Sequence, residues 1–409
     1  MNTRVILDGR GMSSHGVTAR LQWPALTLAL LFRFTGPTVL LACLIAASLA
    51  YAETRTGEVE GYRYRLVVPE AGTVAQEKPL LVVLHGCKQA AADIARLSRF
   101  DALAANSGFA VLYPETGPSA DNPYGCWRWW APENQVRKGG EAEIIVTMVS
   151  EAAAGARVDR QRVYVVGLSS GGAMSAILGA LYPDVFAAVG VHSGMPYAAA
   201  STDSCALRAL SDGAIKSEAR AAVAYYAQGR RHRVMPLMVI QGDKDDVVAP
   251  ENADRLIRQF AQLNDLADDG DGGNQSVDAV EDWTREDQVT DGRRYRTRGY
   301  ADARGKEVMR DIRVAGMEHA WSGGPPGEAF SDPKGPDAAS LYWQFFQSRS
   351  LTDPPQSTRA AATCTERFGT NFSHYWWYAR MSEEEYRCDP WRWTWRRGYE
   401  GLWTEGRCP

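Results

Sequence analysis

Continuous apolar runs, each stopped by a glycine or a polar cluster, recur along the chain: "PLLVVLHG" (79–86), "FAVLYPE" (109–115), "RVYVVG" (162–167), "AAVGVHSG" (187–194) and "PLMVIQGDKD" (236–245). Runs of this length without polar alternation predict strands buried on both faces. "VEGYRYRLVVPE" (59–70) instead alternates apolar and polar positions, as a half-exposed strand does. Helical patterns fill the intervals at 90–106, 141–156, 171–181 and 250–263. Strands alternating with helices predict an α/β fold with a mostly parallel central sheet and helices on both faces. In such sheets the active groups lie at the carboxyl ends of the strands.

The pattern changes at both ends and once in between. Residues 265–276, "DLADDGDGGNQS", read as a solvated surface loop, because the spacing lacks the closing glutamate of a calcium-binding loop. A basic lead-in and the apolar run before Ala50-Tyr51-Ala52 predict a signal peptide over 1–52, cleaved before Glu53. An uncleaved anchor and a lipoprotein at Cys43 are the other readings, the second disfavoured by the apolar "LIAASLA" that follows the cysteine. The catalytic domain is then 53–350, Pro354-Pro355 mark a linker over 351–363, and 364–409 form a Cys/Trp-rich C-terminal segment.

With 409 residues, 45% of them hydrophobic, the chain can bury a large core. A net charge of −4 without a basic stripe excludes nucleic acid as a partner. Export permits disulfides, and of the seven cysteines six lie beyond the signal, too many for counting to settle their pairing.

Gly167-Leu168-Ser169-Ser170-Gly171 leaves a predicted strand and opens a predicted helix. In that context G-x-S-x-G is a nucleophile elbow, with Ser169 at its apex. A serine hydroxyl needs a base oriented by a carboxylate, in the chain order Ser, Asp or Glu, His. Of the four histidines after Ser169, His319 in the glycine-flanked "GMEHAWSGG" suits the last place. His192 ends a strand and reads as a structural hydrogen-bonding ring, His232 in "RRHR" as solvated, and His374 lies outside the main domain. The acid is one of Asp243, Asp245 and Asp246 in "VIQGDKDDVV", which spacing alone does not separate. The amides of Ser170 and, from "LHGCKQ", Cys87 are the expected oxyanion donors.

"LHGCKQ", "CWRWW", "GLSSGGAM", "GVHSG", "GDKDDVV" and "GMEHAWSGG", in this order, make residues 60–350 resemble the polyhydroxybutyrate depolymerase family of α/β-hydrolase esterases, whose relatives include feruloyl and acetylxylan esterases. The resemblance implies a catalytic triad of Ser169, Asp245 and His319, a Cys87–Cys126 disulfide tying the oxyanion loop to the tryptophan loop, and no metal or organic cofactor. It also implies substrate contacts from Trp127, Trp129, Trp130 and Trp321. Gln241 departs from the histidine that many α/β-hydrolases place there, and is read as touching no triad role.

The implied function is a secreted or extracellular serine esterase, with the periplasm as the other destination. Its partner is a polyester or an ester-decorated polymer: it depolymerises short-chain polyhydroxyalkanoates or, alternatively, removes feruloyl or acetyl groups from plant polysaccharide. In the tail, Trp391, Trp393 and Trp395 alternate and would share one face of a strand, suited to surface adsorption. The other reading is that the tail's six tryptophans and three cysteines hold a small segment together, with the odd cysteine paired to Cys205.

Overall fold

Ten strands form one sheet in a computed structural model that describes residues 53–69, 77–214 and 217–352. The strands are β1 (Glu53–Val59), β2 (Tyr62–Val68), β3 (Lys78–Leu84), β4 (Ala110–Glu115), β5 (Val158–Leu168), β6 (Ala188–His192), β7 (Leu237–Gly242), β8 (Trp283–Gln288), β9 (Arg294–Ala301) and β10 (Glu307–Val314). Their order is β1-β2-β4-β3-β5-β6-β7-β10-β9-β8. From β4 to β10 every neighbour is parallel, and the flanking pairs at both edges are antiparallel. The sheet is therefore mostly parallel, as the apolar runs predict.

Helices cover both faces. α1 (Ala91–Ser98), α2 (Phe100–Ser107) and α8 (Ala338–Phe346) enclose a core with Leu81, Val83, Val166 and Ile240. α3 (Gly140–Gly155), α4 (Ser170–Leu181), α5 (Asp203–Asp212), α6 (Ala219–Gln228) and α7 (Glu251–Asp269) enclose the larger core around Leu80, Val82, Val165 and Val189. Successive strand residues thus feed opposite layers, which explains why the central runs show no polar alternation.

Three local expectations are corrected, and one strand appears that the sequence pattern does not suggest. The stretch 59–70 is not one strand: Glu60 and Gly61, with φ of 49° and 84°, form the turn of a β1–β2 hairpin. The helix over 90–106 breaks at Arg99, whose φ is 59°. The acidic loop begins later than its composition suggests, since α7 runs on to Asp269 with Leu263 and Leu266 buried, and Gly270 closes it in the left-handed region. Asp269 and Asp271 then accept backbone N–H groups of their own turn, at 2.8 and 3.1 Å. Finally, β8 has no apolar alternation to signal it; it is a largely exposed edge strand, held by β9.

Among the described residues no helix is long and apolar enough to cross a membrane. The stretch read as a signal, the expected linker from 353 onward and the tail lie outside the described residues.

Candidate active site

The backbone at Ser169 is bent into φ 58°, ψ −118°, a region in which L-residues are strained, and its N–H donates to the His192 carbonyl at 2.9 Å. The bend lets α4 start directly from the end of β5. Gly171 makes the approach possible: a Cβ there would sit 2.4 Å from the Leu84 carbonyl oxygen, inside the end of β3. Ser169 is partly exposed, while Ser170 is buried at the first position of α4, where the N–H has no intrahelical acceptor.

The exit of β3 passes close to the serine, since a Cβ on Gly86 would lie 3.3 Å from that of Ser169. The amides on either side of Cys87 are committed: Gly86 donates to Gln89 Oε1 at 2.8 Å and Lys88 to the Tyr124 carbonyl at 2.7 Å. Cys87 is bonded to Cys126, across a separation of 39 residues. Asn122 grips Cys126 through both its N–H and its carbonyl, so the disulfide joins two ordered loops. Cys205 is also disulfide-bonded; Cys364, Cys388 and Cys408 lie outside the described residues.

Asp245 separates itself from its neighbours by contact. Its carboxylate meets His319 Nδ1 at 2.9 and 3.0 Å and accepts the Val247 and Val248 amides at 3.0 and 2.8 Å. Burial pushes the Asp245 carboxyl up, but these hydrogen bonds outweigh it and hold the group below the ordinary carboxylate range. Asp243 turns the other way and accepts Gly316 N–H at 2.6 Å. Together with Lys244 N–H to the Met317 carbonyl at 3.0 Å, it laces the acid loop to the histidine loop. Gly242 permits that seam, because a Cβ there would fall 2.1 Å from the Met317 carbonyl oxygen.

The other histidines among the described residues are parts of the frame. His192 is fully buried, accepts Ser322 N–H on Nε2 at 3.0 Å and stacks on Trp321 with ring centres 4.8 Å apart. Burial, helped by the proximity of His319, pushes its pKa down to about 3, so it stays neutral at physiological pH. His85 is buried and bonded at both nitrogens, to the Gly86 carbonyl and the Thr116 amide. His232 is not simply solvated: it is half-buried and stacked 3.9 Å from Tyr225.

The tryptophan expectation needs correction. Trp127 and Trp321 are 0% and 1% exposed, packed against His85 and His192, and offer no face to a substrate. Trp129 is buried as well, whereas Trp130, edge-on to it at 5.4 Å, retains exposed surface. Gln241 is corrected too, for it donates to Asp245 Oδ2 at 3.0 Å and so touches the acid directly. Nothing in the local pattern signals that contact, which arises from the loop folding back over the end of β7.

Beneath the tryptophan loop, Glu141 is buried and accepts Arg128 N–H at 2.7 Å and Asn134 Nδ2–H at 3.0 Å, with Tyr62 and Arg128 beside it. Burial, against these hydrogen bonds, raises its pKa to about 7. The folded state therefore holds this proton more tightly than the unfolded chain. The associated stability is complete below pH about 4.5 and is lost as pH rises through about 7. Its upper bound is on the order of 3 kcal/mol. Glu141→Gln keeps an acceptor without the charge and is expected to flatten the fall in melting temperature between pH 5 and 8. An unchanged slope would assign the pH dependence elsewhere.

Residues 62–305 match the Esterase PHB depolymerase family. The chain is 31% identical over 246 residues to poly(3-hydroxyalkanoate) depolymerase C of Paucimonas lemoignei, covering 57% of this chain and 56% of that protein. It thus spans little more than half the length of that relative. It is 30% identical over 242 residues to feruloyl esterase B of Thermothelomyces thermophilus, covering 56% of this chain and 80% of the other. An acetyl xylan esterase from Aspergillus awamori shares the fold, with a TM-score of 0.57 at 20% identity over 73% of this chain and 99% of that one. The family match takes in the elbow and the acid loop and stops before His319, whose pairing with Asp245 is a property of this chain's own geometry. On this match, which covers more than half of its length, the chain belongs to the PHB depolymerase family of esterases.

Proposed function

We propose that this protein is an exported serine ester hydrolase that depolymerises short-chain polyhydroxyalkanoates, such as poly(3-hydroxybutyrate), through an acyl-enzyme on Ser169. The observation that carries the reading is the Asp245–His319 pair, on loops that follow β7 and β10 of the sheet whose β5 ends at the strained Ser169. His319 takes the Ser169 proton as Oγ adds to the ester carbonyl, while Asp245 holds the Nδ1–H and stabilises the imidazolium. The Cys87 and Ser170 N–H groups donate to the oxyanion. Collapse of the tetrahedral intermediate expels the alcohol, which leaves with the proton from His319. Water, deprotonated by the same histidine, then releases the acid and restores the serine.

A second reading is a carbohydrate esterase that removes feruloyl or acetyl groups. It is favoured by coverage, since the match spans 80% of feruloyl esterase B against 56% of depolymerase C. Hydrolysis of a poly(3-hydroxybutyrate) suspension, methyl ferulate and acetylated xylan by the purified chain separates the two. The first reading expects clearing of the polyester as the dominant activity. Release of ferulate or acetate without clearing would replace it by the second.

A further inference from the structure

We propose that Gln241 is a positioning residue of this site, holding the Asp245 carboxylate ionised and oriented toward His319, and thereby setting the lower end of the pH range in which the imidazole works as a base. The inference rests on the triad reading above and adds a member that reading does not contain.

Gln241 is the penultimate residue of β7 and is fully buried. Both hydrogens of its carboxamide are used: Nε2 donates to Asp245 Oδ2 at 3.0 Å and to the Val248 carbonyl at 3.1 Å. One side chain thus spans the acid loop, gripping the carboxylate and the loop's far end together. The amide orientation is fixed by chemistry, because both partners are acceptors and a flipped amide would set its oxygen against a carboxylate. This arrangement leaves Gln241 Oε1 buried with no partner among the described residues. An orphaned buried acceptor is unfavourable. Its presence here is the counterpart of aiming two donors at the acid.

The division of labour on Asp245 shows what Gln241 adds. Oδ1 accepts two backbone amides, from Val247 and Val248, whereas among the described residues Oδ2 has Gln241 as its only neutral donor besides the shared histidine N–H. Without Gln241, Oδ2 would face His319 alone. The carboxylate would be freer to rotate, and its less compensated charge would favour the imidazolium, so the acid limb of kcat/KM would move to higher pH. Other titratable groups around the pair are His192, which is buried and neutral, Asp243, which is tied to Gly316 N–H, and the neighbouring Lys244, Asp246 and Glu318. None of these changes in the variants below.

The test uses Gln241→Met, which keeps the volume and removes the donors, and Gln241→Glu, which keeps the shape and brings a second ionisable carboxyl beside Asp245. Both are measured in the full chain on soluble p-nitrophenyl butyrate from pH 5 to 9, with thermal melting as the folding control and Asp245→Asn alongside. For Gln241→Met, kcat is expected to fall about 10- to 100-fold with KM within about twofold, and the acid limb to move up by about half a pH unit or more. Melting should fall modestly while staying cooperative, because the orphaned oxygen goes with the side chain but the Val248 carbonyl and Asp245 Oδ2 each lose a donor. Gln241→Glu should lose activity on the alkaline side as the second carboxyl ionises, since two adjacent carboxylates resist joint ionisation. If Met does not fold, the Glu profile alone decides. A folded Gln241 variant with the native kcat and an unmoved pH profile, beside an inactive Asp245→Asn, overturns this inference and leaves the triad standing. Full activity in Asp245→Asn would overturn both.

Discussion

Ester hydrolysis by a Ser169→Ala variant is expected to fall by about 10⁴- to 10⁶-fold in kcat, with folding intact. The size follows from what is removed. Without the hydroxyl no acyl-enzyme forms, and the remaining oxyanion donors and binding surface assist only a slow attack by water. Folding should survive because alanine is as strained as serine at φ 58°, ψ −118°, and no side-chain cap of α4 is lost. Ser169→Gly sharpens the test. Glycine tolerates that conformation, so this variant should be equally inactive yet melt above the parent chain, by the equivalent of about 1 to 3 kcal/mol of relieved strain. Initial rates on a soluble ester and paired thermal melts read both effects. Substantial hydrolysis by either variant would remove Ser169 from the mechanism.

Replacing Cys87 and Cys126 together by serine is expected to cost both stability and rate. The disulfide joins cysteines 39 positions apart, and in the chain-entropy account its loss amounts to about 4 kcal/mol. For a domain of this size that corresponds to a fall in melting temperature of roughly 8 to 16 °C. Activity should suffer further, because Cys87 carries a proposed oxyanion donor, and loss of one such donor costs about 10²- to 10³-fold in kcat. The double variant is preferable to chemical reduction, which would also open the disulfide at Cys205. Loss of stability with the native kcat would separate the two roles, showing that Lys88 N–H and Gln89 hold the loop without the sulfur bridge.

Elements with a local cause were legible from the chain. The central strands announced themselves because a strand covered on both faces must be apolar at every position, and the elbow because its strained turn demands a small residue such as Gly171 two positions after the serine. The flanking pieces were less legible. β8 is exposed along most of its length and leaves no periodic trace, and Arg99 ends α1 in a left-handed conformation that its side chain does not advertise. The tryptophans illustrate a different limit. Trp127, Trp129 and Trp130 are near neighbours in one motif, yet only Trp130 retains exposed surface, a distinction set by which face of the loop meets the core.

The amino-acid sequence by itself determined the α/β alternation, the position of the strained serine and the identity of the candidate histidine, since each depends on residues close together in the chain. Spacing leaves Asp243, Asp245 and Asp246 equivalent and only the resemblance points to Asp245; the physical reason for the choice, a contact with a histidine 74 residues away, belongs to the tertiary structure. The tertiary structure also decided that His192 is a neutral strut and that Gln241 grips the acid. Both roles come from burial and from acceptors brought in by distant segments, and hydrogen bonds of that kind exist only once the sheet has set its strand ends side by side.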